Sequence, residues 1–297
     1  MRVATRSIYE TVRFNLDVIT ERLSKANKVV SSGKRITTLS DDPVGLAQAL
    51  NIKSSLSNIE QLERNINVGK SWLAASENAL THVQNLISDA KAMSVQMANV
   101  TEGAAERASA AQAAQNMLEE IVSLANTEIN GRYIFAGSKT DGAPFTLEDD
   151  NSVIYNGNNE PFTVKIGRTS TVAVGSDGES VFGSSGELDD IFNTFKELKA
   201  ALQNNDVSGI QGKINQLDDH FNHIATKISD IGSKMNRLEI KEEILQNLDI
   251  TNTERLSKIE DADITDAIMK LKAMETAYQA ALVSASRVLQ LSVVDYL

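Results

Sequence analysis

The chain has 297 residues, a formal net charge of −11, three histidines and no cysteine. The absence of cysteine excludes a disulfide-stapled domain, thiol catalysis and cysteine-based zinc sites. The negative charge argues against nonspecific binding to nucleic acid, and the sequence has no run of about 18 apolar residues that would span a bilayer.

The charge is distributed unevenly along the chain. Residues 1–35 carry eight Lys and Arg against three acidic residues, whereas residues 139–190 carry three against ten. The basic N-terminal segment raises binding to nucleic acid or membranes as an alternative, but its cations alternate with an apolar stripe and no aromatic platform accompanies them. The first ten residues are polar and charged, so no secretory signal peptide is predicted.

Both ends of the chain are predicted to form amphipathic helices. Apolar residues recur there every three or four positions, which is the a/d pattern of a coiled-coil seam. Because each stripe needs a partner to bury it, the terminal helices are predicted to pair and to form an assembly interface. The stripe residues are Tyr9, Val12, Leu16, Ile19, Leu23, Ala26 and Val30 near the N-terminus, and Ile264, Ala267, Leu271, Met274, Tyr278, Ala281, Ala285 and Val288 near the C-terminus.

The first helix is predicted to end near Gly33, since glycine can adopt the left-handed conformation that closes a helix. Asp42 and Pro43 are a favourable N-cap and first helical residue, so a second helix is predicted to begin there. If it continues unbroken to residue 100 it is about 85 Å long at 1.5 Å per residue, with Gly69 as a point where it loosens. A third helix is predicted over residues 104–129.

The middle of the chain has the pattern of short strands. Asn130-Gly131 is a strong turn signal, and the dipeptides Asp141-Gly142, Asn156-Gly157 and Asp177-Gly178 favour tight hairpin turns. Runs rich in β-branched and aromatic residues predict strands at 133–135, 152–155, 162–166 and 172–174.

Helix is predicted to resume near Glu187 and again near Asp206. From Val207 to Leu238, ten apolar residues keep the spacing of three and four, which is more regular than a surface helix requires. This helix is therefore predicted to lie antiparallel to the helix that begins at Pro43.

The predicted fold class is mainly α, a long antiparallel coiled-coil or helical-bundle rod with paired terminal helices and a small β-rich insert. Three domains are expected. Residues 1–40 and 257–297 form a terminal coiled-coil assembly domain, residues 41–130 and 187–256 a helical rod, and residues 131–186 a β-rich outer domain.

No catalytic, cofactor or metal site is predicted, because the sequence lacks phosphate-binding glycine motifs and any nucleophile–base constellation. His220 and His223 lie three residues apart beside two aspartates, which raises metal binding as an alternative. Both histidines flank Phe221 on the apolar stripe, so a solvated position on the shoulder of the helix is the preferred interpretation. The segment 260–263 is interpreted as the acidic start of a helix, and Trp72 as a packing residue.

Several segments resemble the terminal signatures of bacterial flagellins. They cover roughly the first hundred and the last forty residues, and their occurrence in order at both ends is highly specific. Residues 130–137 and 143–145 resemble the branch of that family that forms the junction between hook and filament. The last residues, 293–297, differ from the usual C-terminal sequence of flagellins, which also favours that branch. The signature segments are 31–36, 41–47, 64–67, 76–80, 259–263 and 287–291.

This resemblance implies a structural flagellar subunit without enzymatic activity or cofactor, which forms an adaptor ring between hook-associated protein 1 and the flagellin filament. The implied partners are further copies of the chain, hook-associated protein 1 on the hook side, flagellin on the filament side and a type III export chaperone at the C-terminal region. Neither nucleic-acid binding nor membrane insertion is implied. The location implied is the extracellular flagellum, reached through the flagellar type III channel without a cleaved signal peptide. The alternatives are flagellin itself, the bulk filament subunit, and a non-flagellar coiled-coil scaffold.

Overall fold

The computed structural model describes residues 2–99, 101–183 and 190–294, with side chains given within these ranges for Ser7 and from Tyr9 to Arg287. None of the helices in these ranges has the length and hydropathy to cross a membrane. The helices are α1 (Arg2–Ser32), α2 (Pro43–Met97), α3 (Ala104–Ala125), α4 (Gly178–Phe182), α5 (Ile191–Gln203), α6 (Val207–Glu260) and α7 (Ile264–Val294). The strands are β1 (Glu128–Ile129), β2 (Arg132–Tyr133), β3 (Phe145–Leu147), β4 (Val153–Tyr155), β5 (Thr163–Lys165) and β6 (Thr171–Ala173).

The mainly helical fold class is confirmed. The described strands form three antiparallel pairs, β1 with β2, β3 with β4 and β5 with β6. The chain divides into two compact units, Met1–Ile59 with Asn247–Leu297 and Glu60–Gln246, so α2 and α6 each belong to both. The three-domain division stays a prediction.

The first two helix boundaries follow the local chemistry expected of them. Gly33 adopts a φ of +69°, and its N–H donates to the carbonyl of Val29 at 2.9 Å, which ends α1. At the start of α2, the N–H of Gly45 donates to Asp42 Oδ1 at 2.8 Å, so Asp42 acts as the N-cap. Both boundaries are confirmed.

Gly69 does not loosen α2, and that prediction is wrong. The helix continues through it, and the glycine is buried. A methyl group at this position would meet Leu238, Val164 and Val174 at 3.1–3.2 Å. Gly69 therefore lets α6 and the β5–β6 hairpin approach the backbone of α2 closely.

The predicted third helix is too long by four residues. It ends at Ala125 because the Asn126 side chain bonds to the backbone of Phe145, donating to its carbonyl at 2.8 Å and accepting its N–H at 2.9 Å. Residues 128–129 then pair with 132–133 across Asn130-Gly131. The φ angles of these two residues, +51° and +75°, fit the type I′ hairpin turn that Asn-Gly favours.

The three other glycine dipeptides do not close hairpins, and that prediction is wrong. The β3–β4 loop instead turns at Asn151, which has a φ of +63°. The β5–β6 loop closes where Ile166 N–H donates to the carbonyl of Ser170 at 3.0 Å. Asp177 caps α4 by accepting the N–H of Ser180 at 3.0 Å. Strand β3 was not predicted, since three residues beside a proline carry too little pattern. The helix start predicted near Glu187 lies outside the described residues; α5 begins at Ile191 after the N-cap Asp190.

The core of the Glu60–Gln246 unit is a seam with a seven-residue repeat. Six residues of α6 are at most 3% exposed: Ile210, Leu217, Ile224, Ile231, Leu238 and Leu245. In α2 the same spacing buries Ile66, Leu73, Leu80 and Ile87 to 1% or less. Seven-residue spacing on two helices is typical of coiled-coil packing.

Two ion pairs give the direction of that packing. Lys70 Nζ lies 2.9 Å from Glu242, and Lys91 bonds to Asp218. The partner positions rise along α2 while they fall along α6, so the two helices are antiparallel in this unit, as predicted.

Two side chains chosen from the sequence lie in this unit's interior. His220 is only 8% exposed and its Nε2 lies 2.9 Å from Thr194 Oγ1, because α5 covers this face of α6. The solvated position predicted for His220 is therefore wrong, although His223 is exposed. Trp72 is 3% exposed, and its ring centroid lies 4.8 Å from that of Phe162.

We expect Ile224→Ala to lower the free energy of unfolding by about 2–5 kcal/mol, because it leaves a cavity in the seam. Ile240→Ala, the same change at a 55% exposed position of the same helix, should cost less than about 1 kcal/mol. Thermal unfolding of the isolated chain measures both. Equal melting temperatures for Ile224→Ala and wild type, with assembly alone impaired, would mean that the seam is an intersubunit surface.

Candidate assembly surface

The terminal helices α1 and α7 contact each other, as the two stripes predicted. On the stripes, Ala267 and Ala285 are buried, whereas Tyr9 and Ile264 remain 54% and 45% exposed. The side chain of Val288 lies outside the described residues. The other stripe residues are half-buried: Val12, Leu16, Ile19, Leu23, Ala26, Val30, Leu271, Met274, Tyr278 and Ala281. Their role in assembly stays a prediction.

A second set of apolar side chains on these helices was not selected from the sequence. Phe14 is 67% exposed, Ile268 51%, Met269 61%, Leu282 44% and Val283 54%. The sequence does contain a signal for these side chains. Ile268-Met269 and Leu282-Val283 directly follow stripe residues and make α7 apolar around much of its circumference. A helix that is apolar on several faces needs more than one neighbour to bury it.

The connectors that follow α1 and precede α7 cross at the base of the helix pair. The N–H of Arg35 donates to the carbonyl of Glu260 at 2.7 Å, and the N–H of Ala262 donates to the carbonyl of Gly33 at 2.9 Å. These bonds flank an antiparallel bridge between Lys34 and Asp261. The Arg35 guanidinium also donates to the carbonyl of Ile259 at 2.8 Å.

Asp41 organises the first connector. Its Oδ1 lies 2.6 Å from Lys25 Nζ, and its Oδ2 accepts the backbone N–H groups of Thr37 and Thr38 at 3.1 and 3.0 Å. The hydrogen-bonded ammonium of Lys25, together with these N–H donors, holds the pKa of Asp41 well below its usual range.

The acidic segment 260–263 has two different roles. Asp263 caps α7 by accepting the N–H groups of Thr265 and Asp266 at 2.8 and 3.2 Å, as the helix-start interpretation predicted. Glu260 is instead the last residue of α6 and is 6% exposed. Burial acts to raise the pKa of Glu260, but the ammonium groups of Lys34 and Lys53 outweigh it and hold that pKa below its ordinary value.

A groove of about 600 Å³ lies beside the crossing, between the base of α1 and the base of α7. Its apolar lining includes Ala26, Ile36, Ala267 and Met274, and charged side chains from both helices and both connectors complete it. Across the described ranges, no group of three or more His, Asp or Glu side chains is placed to hold a metal ion. The exposed apolar side chains of α1 and α7 are typical of a surface that binds other proteins.

The terminal segments match known protein families. The family model of the bacterial flagellin N-terminal helical region matches residues 3–140, and that of the C-terminal helical region matches residues 214–297. The chain belongs to the flagellin family. Relatives of this family are structural components of the bacterial flagellum, and a non-flagellar scaffold does not fit this membership.

Within the flagellin family, the chain is similar to flagellar hook-associated protein 3 over almost its whole length. It is 26% identical to that protein of Escherichia coli over 94% of this chain and 96% of the relative, and 25% identical to that of Salmonella typhimurium over 94% and 95%. It is 28% identical to phase 1 flagellin of Salmonella naestved, over 66% of this chain but only 37% of the flagellin.

Solved structures agree with the fold. A flagellar hook-associated protein of Vibrio parahaemolyticus superposes with a TM-score of 0.69 at 20% identity, over 74% of this chain and 100% of the other. FlgL of Bacillus cereus superposes with a TM-score of 0.60 at 25% identity, over 70% and 99%.

We expect Asp41→Asn to destabilise the chain at neutral pH and to have less effect in acid. A carboxylate whose pKa is depressed by folding contributes stability above its unfolded pKa, near 4, and loses it as the pH falls towards the folded value. The difference in melting temperature between wild type and Asp41→Asn should therefore shrink below about pH 4. A difference that stays constant from pH 7 to pH 2 would contradict the charged role of Asp41.

Proposed function

We propose that this chain is a structural subunit of the bacterial flagellum that forms the junction between hook and filament. The observation that supports the proposal is the extent of the sequence match, which spans 96% of hook-associated protein 3 from Escherichia coli. The match to flagellin of Salmonella naestved spans 37% of that protein. A bulk filament subunit, the alternative, fits this difference less well.

The exposed side chains of α1 and α7 support an assembly role. We assign the stripe residues to the seam that holds α1 against α7, and Phe14, Met269 and Val283 to contacts with a second copy of the chain. Burying an exposed side chain of this kind contributes about 1.5–3 kcal/mol, so several such contacts on each copy stabilise a ring. Assembly, not a catalytic step, is the function assigned to this surface.

The remaining partners are proposed from the likeness to hook-associated protein 3. Hook-associated protein 1 contacts the ring on the hook side, and flagellin adds to it on the filament side. A type III export chaperone binds the C-terminal region before export through the flagellar channel, and the chain then resides outside the cell. The apolar surface of α7 is a fitting chaperone target, because it would otherwise associate before export.

A strain that lacks this chain should keep its hooks and release flagellin into the medium, because filament growth has no junction to start from. Electron microscopy of the cells and quantification of flagellin in the supernatant measure both. Complementation with the wild-type gene is the control. A deletion strain that grows normal filaments would overturn the proposal, and loss of the principal filament protein itself would establish the flagellin alternative.

Met269→Asp should leave the melting temperature of the free chain within about 2 °C of wild type, because the side chain is 61% exposed. It should nevertheless prevent incorporation at the hook tip, since a buried unpaired carboxylate is costly. Ile240→Asp makes a matching change at a 55% exposed apolar position of α6, outside the terminal helices, and serves as the control. Normal incorporation of Met269→Asp would place the intersubunit contact elsewhere.

Removal of residues 281–297 should abolish incorporation while leaving the unfolding of the Glu60–Gln246 unit nearly unchanged. The deletion shortens only α7, which belongs to the other unit. Circular dichroism melting and a motility assay read the two effects separately. A truncated chain that still supports filament growth would contradict the role given to the end of α7.

A further inference from the structure

The carboxylate of Glu260 joins three segments of the chain. Its Oε1 lies 2.7 Å from Nζ of Lys34, which belongs to the first connector, and its Oε2 lies 2.7 Å from Nζ of Lys53, which belongs to α2. Glu260 itself ends α6. The carboxylate side chain is 8% exposed, whereas the two lysine side chains are 42% and 41% exposed. The carboxylate is therefore buried, while the two lysine side chains that pair with it are partly exposed to solvent.

This group differs from the surface ion pairs elsewhere on the chain. Exposed pairs contribute little, because water screens them and ordering two long side chains costs entropy. Removing one partner of a buried pair costs much more, since the remaining charge is left without compensation. An uncharged residue at position 260 would leave two ammonium groups facing each other.

The same residue takes part in the backbone crossing. Its carbonyl accepts the N–H of Arg35, and together with the bond from Ala262 to Gly33 this fixes the register of the two connectors. The helix α1 ends at Ser32, just before the crossing, and α7 begins at Ile264, just after it. A slip of one residue at an extended pair displaces the strands by about 3.3 Å. That is about two residues of helical rise, so it would misalign the seam between α1 and α7.

We propose that Glu260 is a positioning residue that sets the register in which α1 and α7 pair. It holds Lys34 of the connector against Lys53 of α2, so the two connectors pair in a single register. The apolar stripes of α1 and α7, which extend from these connectors, then face each other. The importance of that register for assembly rests on the proposed function, but the register itself is a property of the single chain.

The chain has no cysteine, so introduced cysteines can report the register directly. Ala26, Ala267, Lys270 and Met274 line the same groove. Ala26→Cys is combined in turn with Ala267→Cys, Lys270→Cys, Leu271→Cys and Met274→Cys, and disulfide yield is measured on the purified full-length chain. In the otherwise wild-type chain one partner position should dominate.

Glu260→Gln should spread the yield over neighbouring partner positions and lower the dominant one by at least about fivefold. Glu260→Asp keeps a carboxylate between the ammonium groups of Lys34 and Lys53, and it should retain most of the dominant yield. Lys272→Gln, whose ammonium pairs with Glu275 at an exposed position, is the matched control and should change nothing. A single dominant partner in Glu260→Gln would overturn the inference.

If Glu260→Gln does not fold, Lys34→Met takes its place, because it removes one ammonium and leaves the carboxylate paired with Lys53. The same spreading is expected, and retention of one register would again overturn the inference. Incorporation at the hook tip is scored separately in cells. A spread register with normal filament growth would leave the inference standing and count against the proposed assembly role of the α1–α7 pair.

Discussion

Burial of one side chain every seven residues along α2 and α6 is the constraint on which the Glu60–Gln246 unit depends. A helix of more than 50 residues is stabilised mainly by packing of its apolar face, and each of these helices supplies the face that the other lacks. The β5–β6 hairpin and α5 attach to this pair at defined places, such as Gly69, where a missing side chain admits the hairpin, and His220, which bonds to Thr194 of α5. The strands therefore need little sheet of their own, and two-stranded pairs suffice.

The helical part of this fold was predictable because its signals are periodic and local. The stripe from Val207 to Leu238 and the caps at Gly33 and Asp42 each depend on a few neighbouring residues. The hairpins were less predictable, since Asp177-Gly178 can close a turn or start a helix and only tertiary packing decides. The end of α3 depends on a bond from Asn126 to Phe145, 19 residues away, which no local pattern contains.

In the candidate assembly surface, too, local patterns were predictable from the sequence and tertiary contacts were not. The seam between α1 and α7 followed from spacing alone. The outward residues, among them Phe14 and Met269, were found only when the structure showed which apolar side chains the seam leaves uncovered. The sequence pattern groups Glu260 with its acidic neighbours at the start of a helix. Its pairing with Lys34 and Lys53 joins positions more than 200 residues apart, so sequence alone gives no reason to separate it from Asp261 and Asp263.

The contact between Trp72 and Phe162 has a practical consequence. Trp72 is the single tryptophan of the chain, and its indole N–H is buried without a hydrogen-bond partner among the described residues. Its fluorescence therefore reports one locality, the docking of the segment before β5 on the surface of α2. An indole in such apolar surroundings emits at shorter wavelength than one in water. Intrinsic emission thus follows the detachment of the strand region, while far-ultraviolet circular dichroism follows the helices, and the two need not change together.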